Sequence, residues 1–270
     1  RVEVETEVGV KVLLETERFI SMAHPNRAAV KMTLTPLAGV ECLTLEPKLD
    51  GGITNEDSNW DDAFWRHDGH SAEATDGTSV LTNTTEKTGF TVSVAQAMEC
   101  EGALWESQSE TKLVGLRCSF DASKPVEFVK HVGLVSSLHL GGEQCPSEAL
   151  REATEARSLG YEALKAEHEK AWEEIWALGD IEIEGDVEAQ QAIRFNIFHL
   201  NQTYRGDDAR LNVGPKGFTG EKYGGASYWD TEAYCLQFYL ATHPPHVAEQ
   251  LLRYRFNQLG KAIENAEKLG

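Results

Sequence analysis

The chain has 270 residues, of which 41% are hydrophobic, so it is long enough for two modest domains that each bury a core. Its 44 acidic and 25 basic side chains give a formal net charge of −19 at pH 7. Because the basic residues are scattered without a cluster, this charge argues against binding to nucleic acid or to anionic membrane surfaces. The acidity indicates solubility and does not identify a substrate.

The cysteines and the amino terminus bear on the compartment. The five cysteines are odd in number, widely spaced and free of any Cys-x-x-Cys pair, which indicates neither a disulfide framework nor a zinc site. The sequence contains no apolar run of about 18 residues and does not begin with a signal peptide. We therefore expect a soluble cytoplasmic protein, although the lack of an initiator methionine leaves a removed leader or a trimmed chain open.

Up to residue 140, short β-type runs are separated by Gly, Asn, Asp and Pro. Val92 and Val94 alternate with Thr91 and Ser93, which is the two-residue period of a half-buried strand. The predicted strands are residues 2–14, 19–23, 40–45, 90–97, 112–120 and 126–135. Several such strands in succession predict an antiparallel β-sandwich.

Residues 50–70 interrupt this pattern with an acidic, aromatic stretch that is too long for a hairpin turn. Loops of this length are often functional. The acidic and histidine side chains could be interpreted as a metal cluster, but their spacing fits no trusted ligand motif, so solvated loop polarity is the better interpretation. These side chains are His67, His70, Asp61, Asp62 and Asp68, and the neighbouring Trp60 and Trp65 are expected to pack. We predict no metal site.

From residue 141 to residue 179 the apolar spacing becomes helical. Pro146 and Ser147 open a helical stretch that is broken near Gly160. One stripe carries Tyr161, Leu164, His168, Ala171, Trp172 and Ile175. His168 is predicted to be packed rather than a metal ligand, because no second histidine stands at helical spacing.

Three further helices are predicted beyond residue 180. The apolar face of the first consists of Ala189, Ile193, Ile197, Leu200 and Tyr204. Residues 230–242 are apolar almost all round, which predicts a buried helix that ends at Pro244 and Pro245. The last helix carries Leu252, Phe256, Leu259, Ile263 and Ala266 on one stripe. Such alternation of buried and amphipathic helices suits an (α/α) toroid, although three helices cannot close one.

Residues 212–230, with the sequence NVGPKGFTGEKYGGASYWD, contain five of the 23 glycines and end on a Trp-Asp pair. Glycine suits an irregular loop whose backbone approaches a ligand closely. The glycines are Gly214, Gly217, Gly220, Gly224 and Gly225. Asp230 is predicted to be the N-cap of the following helix, and Glu232 to complement the dipole of that helix.

Trp229 and Asp230 are the candidate sugar-binding residues. An indole can lie against the C–H face of a pyranose ring, and an adjacent carboxylate can accept hydrogen bonds from two vicinal hydroxyls. Spacing alone leaves open, and slightly favours, the simpler interpretation that Trp229 is a core anchor and Asp230 only a cap.

The stretch GPKGFTGEKYGGASYWDTEAYCLQFYL resembles glycoside hydrolase family 65, and within it the maltose phosphorylases. The same resemblance extends to RFNIFHLNQTYRGDDARLNVGPKG, to LLRYRFNQLGKAIENAEKLG and, much earlier, to LDGGITNEDSNWDDAFW. It therefore covers most of the chain. The family also holds kojibiose, nigerose and trehalose phosphorylases.

The resemblance implies an α+β multidomain fold. An antiparallel β-sandwich in residues 1–145 is followed by a helical linker in residues 146–180. Residues 181–270 then supply the first helices of an (α/α)6 barrel, which is incomplete in this chain. The implied activity is inverting phosphorolysis of maltose, giving β-D-glucose 1-phosphate and D-glucose, with inorganic phosphate as co-substrate and no cofactor. A homodimer is also implied.

The resemblance assigns Trp229 and Asp230 to the glucose unit just before the scissile bond. Lys222 and Tyr223 match the motif without an assigned contact, and neither Glu221 nor Glu232 is assigned as an acid. The general-acid glutamate and the phosphate-binding groups of the family are expected beyond Gly270. No catalytic residue is therefore predicted within the chain, and the isolated chain is expected to be inactive.

Two alternatives stay open. The full-length protein could act on kojibiose, nigerose or trehalose, or transfer the sugar to water as a hydrolase. In a different class, the chain could be a non-catalytic carbohydrate-binding or scaffold fragment, with the sandwich serving mainly as a dimerisation surface.

Overall fold

The computed structural model describes residues 1–52, 54, 64–214 and 227–270. The described residues divide into two compact units, with the division between Lys170 and Ala171. The first unit contains all the strands and the second contains helices.

Eleven strands form two antiparallel sheets in the described part of the first unit. They are β1 Val2–Glu5, β2 Lys11–Ile20, β3 Arg27–Ala38, β4 Cys42–Leu45, β5 Lys48–Asp50, β6 Trp65–Glu73, β7 Thr78–Thr85, β8 Thr91–Glu99, β9 Glu106–Ser109, β10 Leu113–Asp121 and β11 Val126–Ser136. The larger sheet has the order β1-β2-β3-β11-β8-β7-β6, and the smaller has β4-β10-β5 with β9 also paired to β10. The predicted antiparallel, sheet-rich domain is confirmed.

Residues from both sheets share one hydrophobic core. Leu43, Leu45 and Leu116 of the smaller sheet pack with Met98 and Phe128 of the larger. Burying such side chains stabilises a protein by about 1.5–3 kcal/mol each. This shared core holds the two sheets together.

The predicted strands at residues 40–45, 90–97, 112–120 and 126–135 correspond to β4, β8, β10 and β11. The run 2–14 is wrong as one strand, because a turn that includes Gly9, with φ of 81°, separates β1 from β2. The run 19–23 is the end of β2 and the bend after it. Strands β3, β5, β7 and β9 were not predicted.

Residues 65–70 were predicted as loop, and this is wrong because they lie in the edge strand β6. The polar side chains there have partners on β7 and within β6: His67 Nδ1 lies 2.9 Å from Asn83 Oδ1, and His67 Nε2 lies 2.8 Å from His70 Nδ1. The described residues contain no group of three or more side chains suited to a metal ion. Trp60, Asp61 and Asp62 lie outside the described residues.

A half-buried lysine lies within the sheet-rich unit. Lys130 Nζ donates a hydrogen bond of 2.9 Å to the Lys48 carbonyl, which joins β11 to β5. Burial lowers the pKa of Lys130 to about 8, because an ammonium ion loses hydration there.

Helix α1, Cys145–Leu159, lies against the larger sheet after a short 3₁₀ turn at Gly142–Gln144. The contact requires glycine at position 133 of β11, where an added Cβ would lie 2.1 Å from the Ala149 carbonyl oxygen. The Arg27 guanidinium on β3 pairs with Glu152 of α1 at 2.6 Å. Both side chains are nearly buried, so the pair is better protected from solvent than a surface salt bridge.

Helix α2, Tyr161–Gly179, follows a break at Gly160, whose φ is 86°. The predicted stripe is confirmed, since all six of its residues are buried or half-buried. His168 is packed as predicted: its Nδ1 accepts a hydrogen bond of 3.1 Å from the Met22 amide, and its ring centroid lies 4.8 Å from that of Phe19.

The second unit contains α3 Val187–Thr203, a π-helical turn at Thr231–Cys235, α4 Leu236–Thr242 and α5 Pro245–Leu269. Asp186 caps α3, because its backbone is extended and its carboxylate accepts a hydrogen bond of 2.9 Å from the Ala189 amide. The core of the unit comprises Tyr204, Val213, Leu236, Tyr239, Val247, Ala248 and Leu251.

One prediction for these helices needs correction. Residues 230–242 are not buried all round, since Tyr234 and Leu240 are exposed while Leu236 and Tyr239 are buried. On the apolar stripe of α5, Leu252, Leu259 and Ile263 are about half exposed and Phe256 is 76% exposed. The core contacts of α5 come from its first two turns, at Val247, Ala248 and Leu251.

Across the described residues, no helix combines the length and apolar character that crossing a lipid bilayer requires. All five cysteines are free thiols.

Candidate functional site

The Trp-Asp pair lies where the second unit changes from loop to helix. The Trp229 carbonyl accepts hydrogen bonds from the Glu232 and Ala233 amides at 3.1 and 3.0 Å. The chain then makes the π-helical turn, in which the Leu236 amide bonds to the Thr231 carbonyl. π-helical turns of this kind are frequent at functional sites.

The prediction that Asp230 is an N-cap is wrong. Its φ and ψ are −54° and −34°, and its side chain makes no capping hydrogen bond. A capping side chain needs non-helical backbone to reach the amides of the first turn, and Asp230 is already helical. The carboxylate is therefore not engaged in starting the helix.

Trp229 presents its indole to solvent, with 66% of the residue exposed, so the core-anchor interpretation does not apply within the described residues. The ring of Tyr234, which is 67% exposed, has its centroid 6.0 Å from the indole. Residues five apart in a regular α-helix lie about 140° apart around the axis, so the π turn is what brings these rings together. Sequence reasoning missed Tyr234 because it assumed regular helical spacing.

The start of the turn is tied to Val213, which precedes the glycine-rich stretch of the sequence. Thr231 Oγ1 donates a hydrogen bond of 2.8 Å to the Val213 carbonyl, and both residues are buried. Tyr239 adds a bond of 2.8 Å from its hydroxyl to the Leu200 carbonyl. Burial raises the pKa of the Tyr239 phenol, which stays protonated as that donor.

Glu232 lies in the first turn, as predicted, and also forms an ion pair that the sequence did not indicate. Arg255 Nε lies 2.7 Å from Glu232 Oε1, and Arg255 Nη2 lies 3.0 Å from Oε2. The same Nη2 donates to the Tyr228 carbonyl. Close by, burial raises the pKa of the Cys235 thiol and the charges of Asp230 and Glu232 raise it further, so the thiol stays protonated.

Several residues of the predicted sugar-binding stretch lie outside the described part of the chain. Glu221, Lys222 and Tyr223 lie outside the described residues, as do the glycines at positions 217, 220, 224 and 225. The structure therefore brings together Trp229, Asp230 and the unpredicted Tyr234.

Both units contain residues that match models of known protein families. Residues 1–175 match the N-terminal domain of glycosyl hydrolase family 65, and residues 194–270 match the central catalytic domain of the same family. The chain belongs to glycosyl hydrolase family 65. The candidate site lies wholly within the stretch that matches the family's catalytic domain.

Individual relatives of this family 65 chain are phosphorylases. It is 44% identical over 263 residues to a maltose phosphorylase of Bacillus subtilis, covering 96% of this chain and 34% of the relative. It is 28% identical over 281 residues to an alpha,alpha-trehalose phosphorylase of Thermoanaerobacter brockii, covering 100% and 36%. The chain thus spans about a third of the length of these relatives.

A solved structure has the fold of this family 65 chain. It is a protein from the human microbiome provisionally assigned as a kojibiose phosphorylase, with a TM-score of 0.84 and 25% sequence identity. The match covers 96% of this chain and 34% of the other. The sheet-rich domain followed by helices is therefore an arrangement found in this solved relative.

Proposed function

We propose that the chain is the amino-terminal part of an inverting disaccharide phosphorylase whose substrate is maltose. The full-length protein cleaves maltose with inorganic phosphate and releases β-D-glucose 1-phosphate and D-glucose. The observation that carries this proposal is the exposed indole of Trp229 beside the half-buried Asp230, in a region matched to the family's catalytic domain. The choice of maltose rests on 44% identity to a maltose phosphorylase over 96% of this chain, whereas trehalose phosphorylases are 28% identical over the whole chain or 42% identical over 42% of it.

Trp229 and Asp230 bind the glucose unit just before the scissile bond. The exposed indole offers an apolar face to the C–H side of the ring. The Asp230 carboxylate is not used as a helix cap, so it can accept hydrogen bonds from two neighbouring hydroxyls. Tyr234 extends the aromatic surface beside the indole.

The chemistry itself needs groups beyond this chain. Inverting transfer requires a carboxylic acid that protonates the departing sugar oxygen and a phosphate on the opposite face of the ring. Arg255 binds both carboxylate oxygens of Glu232, so this side chain is engaged in an ion pair and is not directed at a sugar oxygen. We therefore expect the general-acid glutamate beyond Gly270, and no phosphorolysis by the 270-residue chain alone.

Helices α3, α4 and α5 begin an (α/α)6 barrel in this proposal. The exposed apolar stripe of α5 supports it, because large contiguous apolar patches mark surfaces that are covered by a partner element. The domain ranges 1–145, 146–180 and 181–270 stay predictions, as do the homodimer and the cytoplasmic location.

A substrate screen of the full-length protein tests the proposal. Maltose, trehalose, kojibiose and nigerose are incubated with and without inorganic phosphate, and the anomer of the product is followed by NMR. We expect phosphate-dependent release of β-D-glucose 1-phosphate from maltose. Equal cleavage without phosphate indicates a hydrolase, a preference for another disaccharide changes the substrate, and no cleavage favours the non-catalytic carbohydrate-binding or scaffold alternative.

A further inference from the structure

We propose that Arg255 is a positioning residue that holds Trp229 and Asp230 in the orientation that binds glucose. The inference rests on the proposed function, because it concerns the same sugar-binding pair. It adds a residue from α5, which lies 25 positions further along the chain.

Arg255 contacts the chain on both sides of the pair. Ahead of it, the guanidinium donates to the Tyr228 carbonyl, and Nη1 lies 3.5 Å from the Ser227 carbonyl oxygen and 3.4 Å from Ser227 Oγ. Behind it, Nε and Nη2 bind the two carboxylate oxygens of Glu232 at 2.7 and 3.0 Å. The Arg255 side chain therefore binds residues 227–232 at both ends of this segment.

Only an arginine can make this set of contacts. Its planar guanidinium carries five donors in a fixed fork, which suits a two-point pair with a carboxylate while leaving donors for carbonyls. A lysine ammonium is a single point charge and cannot bind both ends of the segment at once. The Arg255 and Glu232 side chains are 33% and 26% exposed, so solvent screens the pair less than a fully exposed one.

The part of α5 that carries the Arg255 side chain is also held in place. Leu251, one helical turn earlier on α5, is completely buried in the core of the second unit. Residues four apart lie on the same face of a helix, so Arg255 extends from the anchored side of α5. The helix is therefore held by the core close to the position from which Arg255 reaches residues 227–232.

The side chains of Trp229 and Asp230 make few contacts of their own among the described residues. The indole is exposed and the carboxylate makes no capping bond, so the orientation of both follows the backbone that carries them. The hydrogen bond from Thr231 holds that backbone directly after the pair, and the guanidinium adds contacts to Tyr228 before the pair and to Glu232 after it. Loss of the guanidinium removes these contacts on both sides of the pair while every sugar-contacting atom remains present.

The experiment measures D-glucose binding to the full-length protein by calorimetric titration, with thermal unfolding of each variant recorded in parallel. Arg255→Met is expected to weaken glucose binding by about tenfold to a hundredfold, the scale of a misplaced binding group, and Arg255→Lys to lose less. Arg253→Met is the matched control, since Arg253 lies on the same helix and pairs with Glu249 in the preceding turn. It should bind glucose like the wild type.

A purely structural role lowers the melting temperature of Arg255→Met and leaves the glucose affinity of the folded protein unchanged, and that result overturns the inference. If Arg255→Met does not fold, Arg255→Lys and Glu232→Gln decide: weaker glucose binding supports the inference and wild-type binding overturns it. A wild-type protein that binds no glucose overturns the proposed function as well. A wild type that binds glucose and Arg255 variants that bind equally well overturn only the inference.

Discussion

Thr231 Oγ1 donates a hydrogen bond of 2.8 Å to the Val213 carbonyl across 18 positions of sequence. Thr231 is 3% exposed and Val213 is 4% exposed, so water does not replace this bond. It ties the start of the π-helical turn to the residues before the glycine-rich stretch of the sequence, and so holds the backbone from which Trp229 and Asp230 extend.

Thr231→Val removes the donor and keeps the shape of the side chain. We expect a loss of about 1–3 kcal/mol in the free energy of unfolding, because a buried carbonyl loses its partner. Thr203→Val is the matched control, since its hydroxyl donates to the His199 carbonyl within its own helix. Calorimetric unfolding of the full-length protein measures both, and equal melting temperatures for the two variants contradict the prediction.

Asp230→Asn should weaken sugar binding without lowering stability. The carboxylate makes no capping bond, so its neutralisation leaves the helix intact. Each charge-assisted hydrogen bond to the sugar is worth about 1.5–3 kcal/mol, and kcat/KM for maltose falls accordingly. Kinetics and thermal unfolding are measured on the same full-length preparation.

Asp186→Ala is the matched control for that variant and should give the opposite result. Asp186 caps α3, so its loss costs about 0.5–2 kcal/mol of stability. The kcat/KM for maltose should stay at the wild-type value. An Asp230→Asn variant that behaves like Asp186→Ala removes Asp230 from the sugar site.

Two of the strands that sequence patterns missed, β3 and β6, have polar residues whose partners are distant in sequence. Arg27 and Lys31 make the sequence of the half-buried strand β3 look polar. Their partners, Glu152 and Glu162, come from α1 and α2. In β6, Asp68 accepts a hydrogen bond of 2.5 Å from Thr84 on the next strand. No local pattern contains these partners, so a polar strand resembles a loop.

The candidate site was predictable only in part, because some of its contacts also depend on structure that no local sequence pattern shows. Trp229 and Asp230 could be selected from the chemistry of their side chains. The wrong cap assignment for Asp230 followed from assuming that the helix begins after it, whereas its backbone is already helical. Tyr234 depends on a π turn and Arg255 on the packing of α5, and neither has a local sequence signal.

Acid should destabilise the first unit partly through His168. Burial lowers the pKa of His168, so the folded protein binds fewer protons than the unfolded chain just below about pH 6.5. Stability is therefore present above pH 6.5 and is lost as the pH falls through the folded pKa. His168→Gln keeps an acceptor for the Met22 amide but does not titrate. Melting temperature between pH 5 and 8 should fall less for this variant, and parallel curves contradict the prediction.

Lys130 should give a pH dependence at the alkaline end. Its folded pKa of about 8 lies below the ordinary value of 10.5, so between these values the unfolded chain binds more protons. The contribution of Lys130 to stability therefore rises with pH across this window. Lys130→Met should lack that rise, whereas the exposed Lys124→Met should retain it. Identical slopes for Lys130→Met and the wild type contradict the prediction.

A crystal structure of the full-length protein with bound glucose tests the central claim most directly. The account predicts the pyranose ring stacked on the Trp229 indole, with two of its hydroxyls donating to the Asp230 carboxylate. Glucose bound elsewhere, with Trp229 enclosed by protein, contradicts it.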